Sequence, residues 1–87
     1  MANNLTFSPD AWADYLYWQT EDKKTLRKIN RLLQDLQRDG AVQGIGKAEL
    51  LRKFKGMSKR IDETNRLIYT FENDNIIVLS CRGHYEE

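Results

Sequence analysis

The chain opens on Asn4-Leu5-Thr6-Phe7, where polar and apolar side chains alternate with the period of a half-buried strand. Ser8-Pro9-Asp10 follows and predicts a helix over about 9–19. The serine hydroxyl can cap, proline suits the first turn, and the acid favours the positive end of the helix dipole. Within this helix Trp12, Tyr15, Leu16 and Gln19 recur at spacings of three and four, which predicts a core-facing stripe. Tyr17 and Trp18 fall beside that stripe, and core packing or a surface for another protein would each account for them. Thr20-Glu21-Asp22 is a second helix start, after which Leu26, Ile29, Leu32, Leu33 and Leu36 keep a helical period up to Asp39-Gly40, where glycine can end it. So brief a break folds the two helices into a hairpin.

From Gly40 to Gly46 three glycines and little periodicity predict a loop, and Lys47–Leu51 becomes regular or leads onto the next strand. After Gly56 three strand-like runs appear, Met57–Ile61, Arg66–Glu72 and Ile76–Tyr85, separated by the polar turn clusters Asp62-Glu63-Thr64-Asn65 and Asn73-Asp74-Asn75. The order β-α-α-β-β-β predicts an α+β fold over residues 1–87 as one domain, a small antiparallel β-sheet with an N-terminal helical hairpin packed on one face. In Arg66–Glu72 the period of two sends Leu67, Tyr69 and Phe71 toward the helices and Arg66, Ile68, Thr70 and Glu72 away from them. A three-residue turn at Asn73-Asp74-Asn75 would set Glu72 opposite Ile76, Ile68 opposite Ser80 and Arg66 opposite Arg82, with His84 one diagonal step from Arg66. A five-residue loop before Arg66 would bring Arg60 to the same face.

Composition narrows the class. With 87 residues, 40% of them hydrophobic and 31% charged, the chain is too apolar for a disordered segment and too polar for a membrane protein. No apolar run exceeds Ile76–Leu79, and the first residues lack the basic and apolar regions of a secretory signal. One Cys and one His cannot make an intrachain disulfide or complete a tetrahedral zinc site. A reducing, cytoplasmic location without metal or cofactor is the expectation. The net charge of +1 conceals a strong polarity: residues 1–22 hold four acids and no base, whereas residues 23–66 hold thirteen bases against five acids. That middle segment suits phosphate contact, although Lys23, Lys24, Lys28 and Arg31 also fit the solvated face of a helix.

A carboxylate, a histidine and several arginines on an exposed sheet face would serve metal-free RNA cleavage. One group takes the proton from a ribose 2′-OH, another protonates the departing 5′-oxygen, and fixed cations hold the charge that gathers on phosphorus. Glu49 is a candidate base, His84 a candidate acid, and Arg66, Arg60 and Lys59 candidate phosphate ligands. The same residues are compatible with blander roles: Glu49 could pair with Lys47 or Lys53, His84 could be a surface residue, and the bases could bind nucleic acid without cutting it.

The segments Trp12-Ala13-Asp14-Tyr15-Leu16-Tyr17-Trp18-Gln19, Asp22-Lys23 and Lys28-Ile29-Asn30 resemble the opening of the YoeB/Txe toxins, a branch of the RelE-like ribonucleases of bacterial toxin–antitoxin systems. The resemblance continues through Gly46-Lys47-Ala48-Glu49, Ser58-Lys59-Arg60-Ile61, Asn65-Arg66-Leu67-Ile68-Tyr69 and Cys81-Arg82-Gly83-His84-Tyr85, so it spans nearly the whole chain in order. It implies an mRNA interferase that enters the ribosomal A site and cuts the message during translation, with no metal or cofactor. The products would be a 2′,3′-cyclic phosphate, or its 3′-phosphate hydrolysis product, and a 5′-hydroxyl. By this resemblance Glu49 falls on the general base, Arg66 on the arginine that stabilises the transition state and His84 on the general acid. Arg52, Lys59 and Arg60 fall on positions that hold RNA phosphates, and Tyr85 on the aromatic that positions the substrate.

The implied partners are the ribosome with its mRNA and a YefM-like antitoxin whose C-terminal segment covers the basic site, in a homodimer or a toxin–antitoxin hetero-oligomer away from any membrane. Ala48 and Leu50 stand where the family often has prolines, and Met57 where a tryptophan is common. The same architecture also houses non-nucleolytic toxins such as the gyrase-directed ParE relatives, and it could serve as an RNA- or ribosome-binding module. Glu49, Arg66 and His84 together favour the nuclease.

Overall fold

The computed structural model of the chain describes residues 4–39, 48–50, 56–72 and 74–83. Strand β1 (Asn4–Phe7) leads directly into helix α1 (Pro9–Glu21). Ser8 makes that corner: its hydroxyl accepts from the Ala11 amide at 3.1 Å and donates to the Leu79 carbonyl at 3.1 Å. Asp22 ends α1 and starts α2 (Lys23–Asp39), because its amide closes on the Trp18 carbonyl at 3.2 Å while its carboxylate accepts from the Lys24 and Thr25 amides at 3.1 and 3.3 Å. The Thr25 hydroxyl bond, first among these, holds the exposed Asp22 carboxyl below its usual range.

Helix α2 buries the stripe expected of it, with Ile29, Leu32, Leu33 and Leu36 in the core. Helix α1 does not. Trp12 and Leu16, placed on its core stripe from their spacing, are exposed, and the buried residues are Ala11 and Trp18. Two contacts explain the rotation. The small Ala11 lets its carbonyl come within 3.8 Å of the Cys81 Sγ, and the Trp18 indole N–H reaches a buried acceptor, the Cys81 carbonyl, at 2.8 Å. A buried indole needs such a partner, so position 18 and not position 12 turns inward.

Among the described residues five strands form one sheet in the order β1-β5-β4-β3-β2, with β2 at Ala48–Leu50, β3 at Met57–Arg60, β4 at Arg66–Glu72 and β5 at Asn75–Ser80. The segment around Glu49 is therefore a strand, and Ala48 and Leu50, each with an amide where proline has none, pair with Lys59 and Met57. The sheet is mixed and not wholly antiparallel: β1 lies parallel to β5 at one edge. Three antiparallel pairings from β2 to β5 leave β5 opposed to β2, and the helical hairpin leaves β2 opposed to β1, so β1 and β5 share a direction.

The β4–β5 register departs twice from expectation. Glu72 pairs with Asn75 and not Ile76, so the turn is one residue shorter. A bulge between Ile68 and Tyr69 then leaves Leu79 over, and Ile68 meets Ser80 as expected. The bulge also shifts the alternation by one residue, which brings Cys81 onto the helix face with Val78 and Ile76. There Leu67, Tyr69, Ile76, Val78 and Cys81 pack against Ala11, Trp18, Ile29, Leu32 and Leu36. Phe71 belongs to the same face yet is exposed, so the helices cover the Leu67 end of β4 and not its far end. Strand β5 stops at Ser80, short of the Ile76–Tyr85 run, and Gly83 follows with φ at +80°, which no strand accommodates. Among the described residues no helix is long and apolar enough to cross a membrane.

Candidate active site

The face of the sheet turned away from the helices gathers the polar groups. Five residues separate Arg60 from Arg66, and the two are direct partners across β3 and β4. Two arginines opposite one another repel, and an anion bound across them is favoured on that account. One row along, Ser58 pairs with Ile68 on one side and with Glu49 of β2 on the other. The Ser58 hydroxyl is buried and accepts from the Arg66 Nη1 at 2.9 Å, which braces the half-buried guanidinium against the sheet. Glu49 thus holds a register position beside the residue that braces Arg66. Arg60 is exposed, and its Nε donates to the Asp62 carbonyl at 3.4 Å.

The loop that joins β3 to β4 is built around Asp62. Its Oδ1 accepts from the Thr64 and Asn65 amides at 2.8 and 2.7 Å, and the Asn65 Nδ2 donates to both carboxylate oxygens at 3.1 Å. Burial pushes the Asp62 carboxyl up, but the Asn65 side chain, the Asn65 and Thr64 amides and the nearby Arg60 charge outweigh it, so the group lies below its ordinary value. The Asn65 Oδ1 then accepts from the Gly83 amide at 2.7 Å, and the Arg66 amide donates to the Gly83 carbonyl at 3.0 Å. Arg66 therefore meets Gly83 and not Arg82, and the main chain just before His84 is fixed against Arg66.

The other flank of this segment is held by α1. Besides the Trp18 bond to its carbonyl, Cys81 donates its amide to the Asp14 Oδ2 at 3.0 Å, and the Arg82 guanidinium lies 3.6 Å from the centre of the Tyr17 ring. Burial first, and then the Asp14 charge, push the Cys81 thiol up to about 12, so it is a packing residue and no nucleophile at neutral pH. Tyr17 and Trp18, open between core and interface, thus both serve the strand end that leads to the site.

Of the residues singled out from the sequence, the structure brings Arg60 and Arg66 together and sets Glu49 one row away. It does not bring Lys59 to them. Lys59 pairs with Leu67 on the helix side of the sheet and is 0% exposed, so the alternation that turns Arg60 outward turns its neighbour inward. Arg52, His84 and Tyr85 lie outside the described residues. Ser58, Asp62 and Asn65 were not foreseen as parts of the site. The spacing of Asp62 and Asn65 was a signal for the last two, since an Asp whose carboxylate accepts two and three residues on builds its own turn. Among the described residues no group of three or more His, Cys, Asp or Glu could hold a metal.

Residues 7–85 match the family model described as the YoeB-like toxin of bacterial type II toxin–antitoxin systems. The chain belongs to that family. It is 44% identical over 84 residues to Toxin YoeB of Mycobacterium bovis, covering 94% of this chain and 98% of that protein. The Toxin YoeB of Escherichia coli K12 is 42% identical over 83 residues, covering 93% of this chain and 98% of its own length. Among solved structures, the YoeB dimer from Staphylococcus aureus superposes with a TM-score of 0.88 at 46% identity, over 98% of this chain and 100% of that one. The heterotetrameric YoeB–YefM toxin–antitoxin complex of the same organism superposes with a TM-score of 0.86 at 45% identity, over the same shares.

Proposed function

We propose that this toxin-family chain is a ribosome-dependent endoribonuclease that cuts mRNA in the ribosomal A site. The observation that carries the reading is the bracing of Arg66 between Ser58 and Gly83, beside Arg60 and one row from Glu49. Glu49 takes the proton of the ribose 2′-OH, whose oxygen then forms a bond to the adjacent phosphorus. Arg66, with Arg60, stabilises the charge on the phosphorane oxygens, an interaction strongest in a dry, preorganised site. The bond from phosphorus to the 5′-oxygen breaks as His84 protonates that oxygen, leaving a 2′,3′-cyclic phosphate and a 5′-hydroxyl. Tyr85 and Arg52 position the RNA.

A carboxylate is a weak base for a hydroxyl, so most of the rate comes from positioning and charge stabilisation. The ribosome supplies that geometry, and naked RNA is cut poorly. By analogy with the YoeB–YefM complexes, a YefM-like antitoxin covers the basic face in a hetero-oligomer, and the free toxin is a dimer. The chain acts in the cytoplasm. End-group analysis tests the chemistry: fragments must accept a 5′ label from kinase without prior phosphatase treatment. Fragments with 5′-phosphate ends would contradict it.

A further inference from the structure

We propose that Asn65 is a positioning residue, whose side-chain amide, oriented by Asp62, fixes the Gly83 main chain against Arg66 and so sets the point from which the chain continues to His84. The proposal rests on the nuclease reading, in which His84 is the acid. Both polar ends of the Asn65 amide are committed: the oxygen accepts from the Gly83 amide at 2.7 Å, and the nitrogen donates to the Asp62 carboxylate at 3.1 Å. A flipped amide would set its NH2 against the Gly83 N–H and its oxygen against a carboxylate, so one orientation alone is satisfied. The Asn65 and Thr64 donors and the nearby Arg60 charge outweigh burial and hold the Asp62 carboxyl below its ordinary value, which favours the charged acceptor.

Gly83 is gripped at both ends of its residue, the amide by Asn65 and the carbonyl by the Arg66 amide at 3.0 Å. On the far side Cys81 is tied to α1 through Asp14 and Trp18. The link into residue 84 thus leaves a fixed point that also carries Arg66, the group the acid must work with. General acid catalysis demands hydrogen-bond reach of the leaving oxygen, and a displacement of about 1 Å can cost on the order of 100-fold in rate. Asp62, Glu63 and Thr64 are exposed and Asn65 half-buried, outside the hydrophobic core, so the amide serves this segment more than the fold.

The test compares wild type with Asn65→Ala, Asn65→Asp and the exchanged pair Asp62→Asn/Asn65→Asp on mRNA-programmed ribosomes, with hydrogen exchange read at the Gly83 amide. Asn65→Ala should speed Gly83 exchange and lower kcat roughly 10- to 100-fold while KM changes less than about threefold. Asn65→Asp alone sets two carboxylates face to face and should behave alike. The exchanged pair restores an acceptor for Gly83 and a donor between the two side chains, and should recover both readouts. Faster Gly83 exchange with wild-type kcat would overturn the proposal, as would unchanged Gly83 exchange in Asn65→Ala. Failure of the exchanged pair to regain rate, although folded and protected at Gly83, would also overturn it. His84→Ala run in parallel separates the two layers: cutting at the wild-type rate removes the acid assignment on which the positioning claim rests, whatever Gly83 does.

Discussion

Arg66 donates its Nη1 to the Ser58 hydroxyl at 2.9 Å across neighbouring strands, so the guanidinium that faces Arg60 is braced by a buried side chain. Ser58→Ala removes the brace but keeps the arginine. The expected result is a loss of a few-fold in cleavage rate and about 1 kcal/mol or less in stability. Arg66→Lys keeps the charge but loses the planar fork, and should cost more in rate, on the order of 100-fold, with a stability loss of about 1 kcal/mol because it too gives up the guanidinium bond to Ser58. Single-turnover rates on programmed ribosomes and urea titrations of each variant give the comparison. Equal rates for Ser58→Ala and Arg66→Lys would mean that the fork has no role.

Trp18 ties α1 to the strand end that leads into the site. Trp18→Phe keeps a ring in the core and leaves the Cys81 carbonyl without its 2.8 Å partner. An unsatisfied buried acceptor costs about 1–3 kcal/mol, which for a domain of this size lowers the melting temperature by several degrees per kcal/mol. Calorimetry checks the shift, and a melting temperature equal to wild type would show that the carbonyl finds another donor.

Alkali should weaken the fold by a route that can be traced to two residues. Burial, with help from the Asp14 charge, raises the Cys81 thiol from 9.0 to about 12, and burial raises the Tyr69 hydroxyl from 10.0 to about 12. Above pH 9 the unfolded chain sheds these protons while the native chain keeps them, so the native state binds more protons and stability falls as pH rises from about 9 to 12. Below pH 9 both states hold both protons and the two groups contribute no slope. Denaturant titrations of wild type and Tyr69→Phe between pH 8 and 11 test this: the variant should show the shallower decline. For the same reason the native thiol should react with alkylating reagents far more slowly than the thiol of the denatured chain, and equal rates would place Cys81 at the surface.

The helices were legible because Ser8, Pro9 and Asp22 are strong local signals and α2 carries a clean apolar period. The face of α1 was misread since its packing is set by two distant contacts, Ala11 and Trp18 with Cys81, that no spacing within the helix announces. On the sheet, the five-residue loop gave the Arg60–Arg66 partnership correctly. The β4–β5 register came out right at Ile68 and Ser80 by compensation, a shorter turn offset by a bulge whose extra carbonyl is taken up by Ser8, seventy-one positions away in sequence. Lys59 and Arg60, grouped as basic residues from the sequence, turn to opposite sides of the sheet, because a list of basic residues ignores the alternation that the strand imposes. Asn65 and Asp62 were seen as turn formers, and their hold on Gly83 depends on a tertiary contact across 18 positions.

The most direct measurement is primer extension on a defined message in a reconstituted translation reaction, with wild-type protein, Arg66→Ala and His84→Ala side by side. New ends within the A-site codon that require translation and disappear in both variants are the expected result, with antitoxin-free wild type and both variants shown to be folded. An intact message in the presence of folded wild-type toxin would contradict the nuclease and favour a non-nucleolytic toxin on the same scaffold.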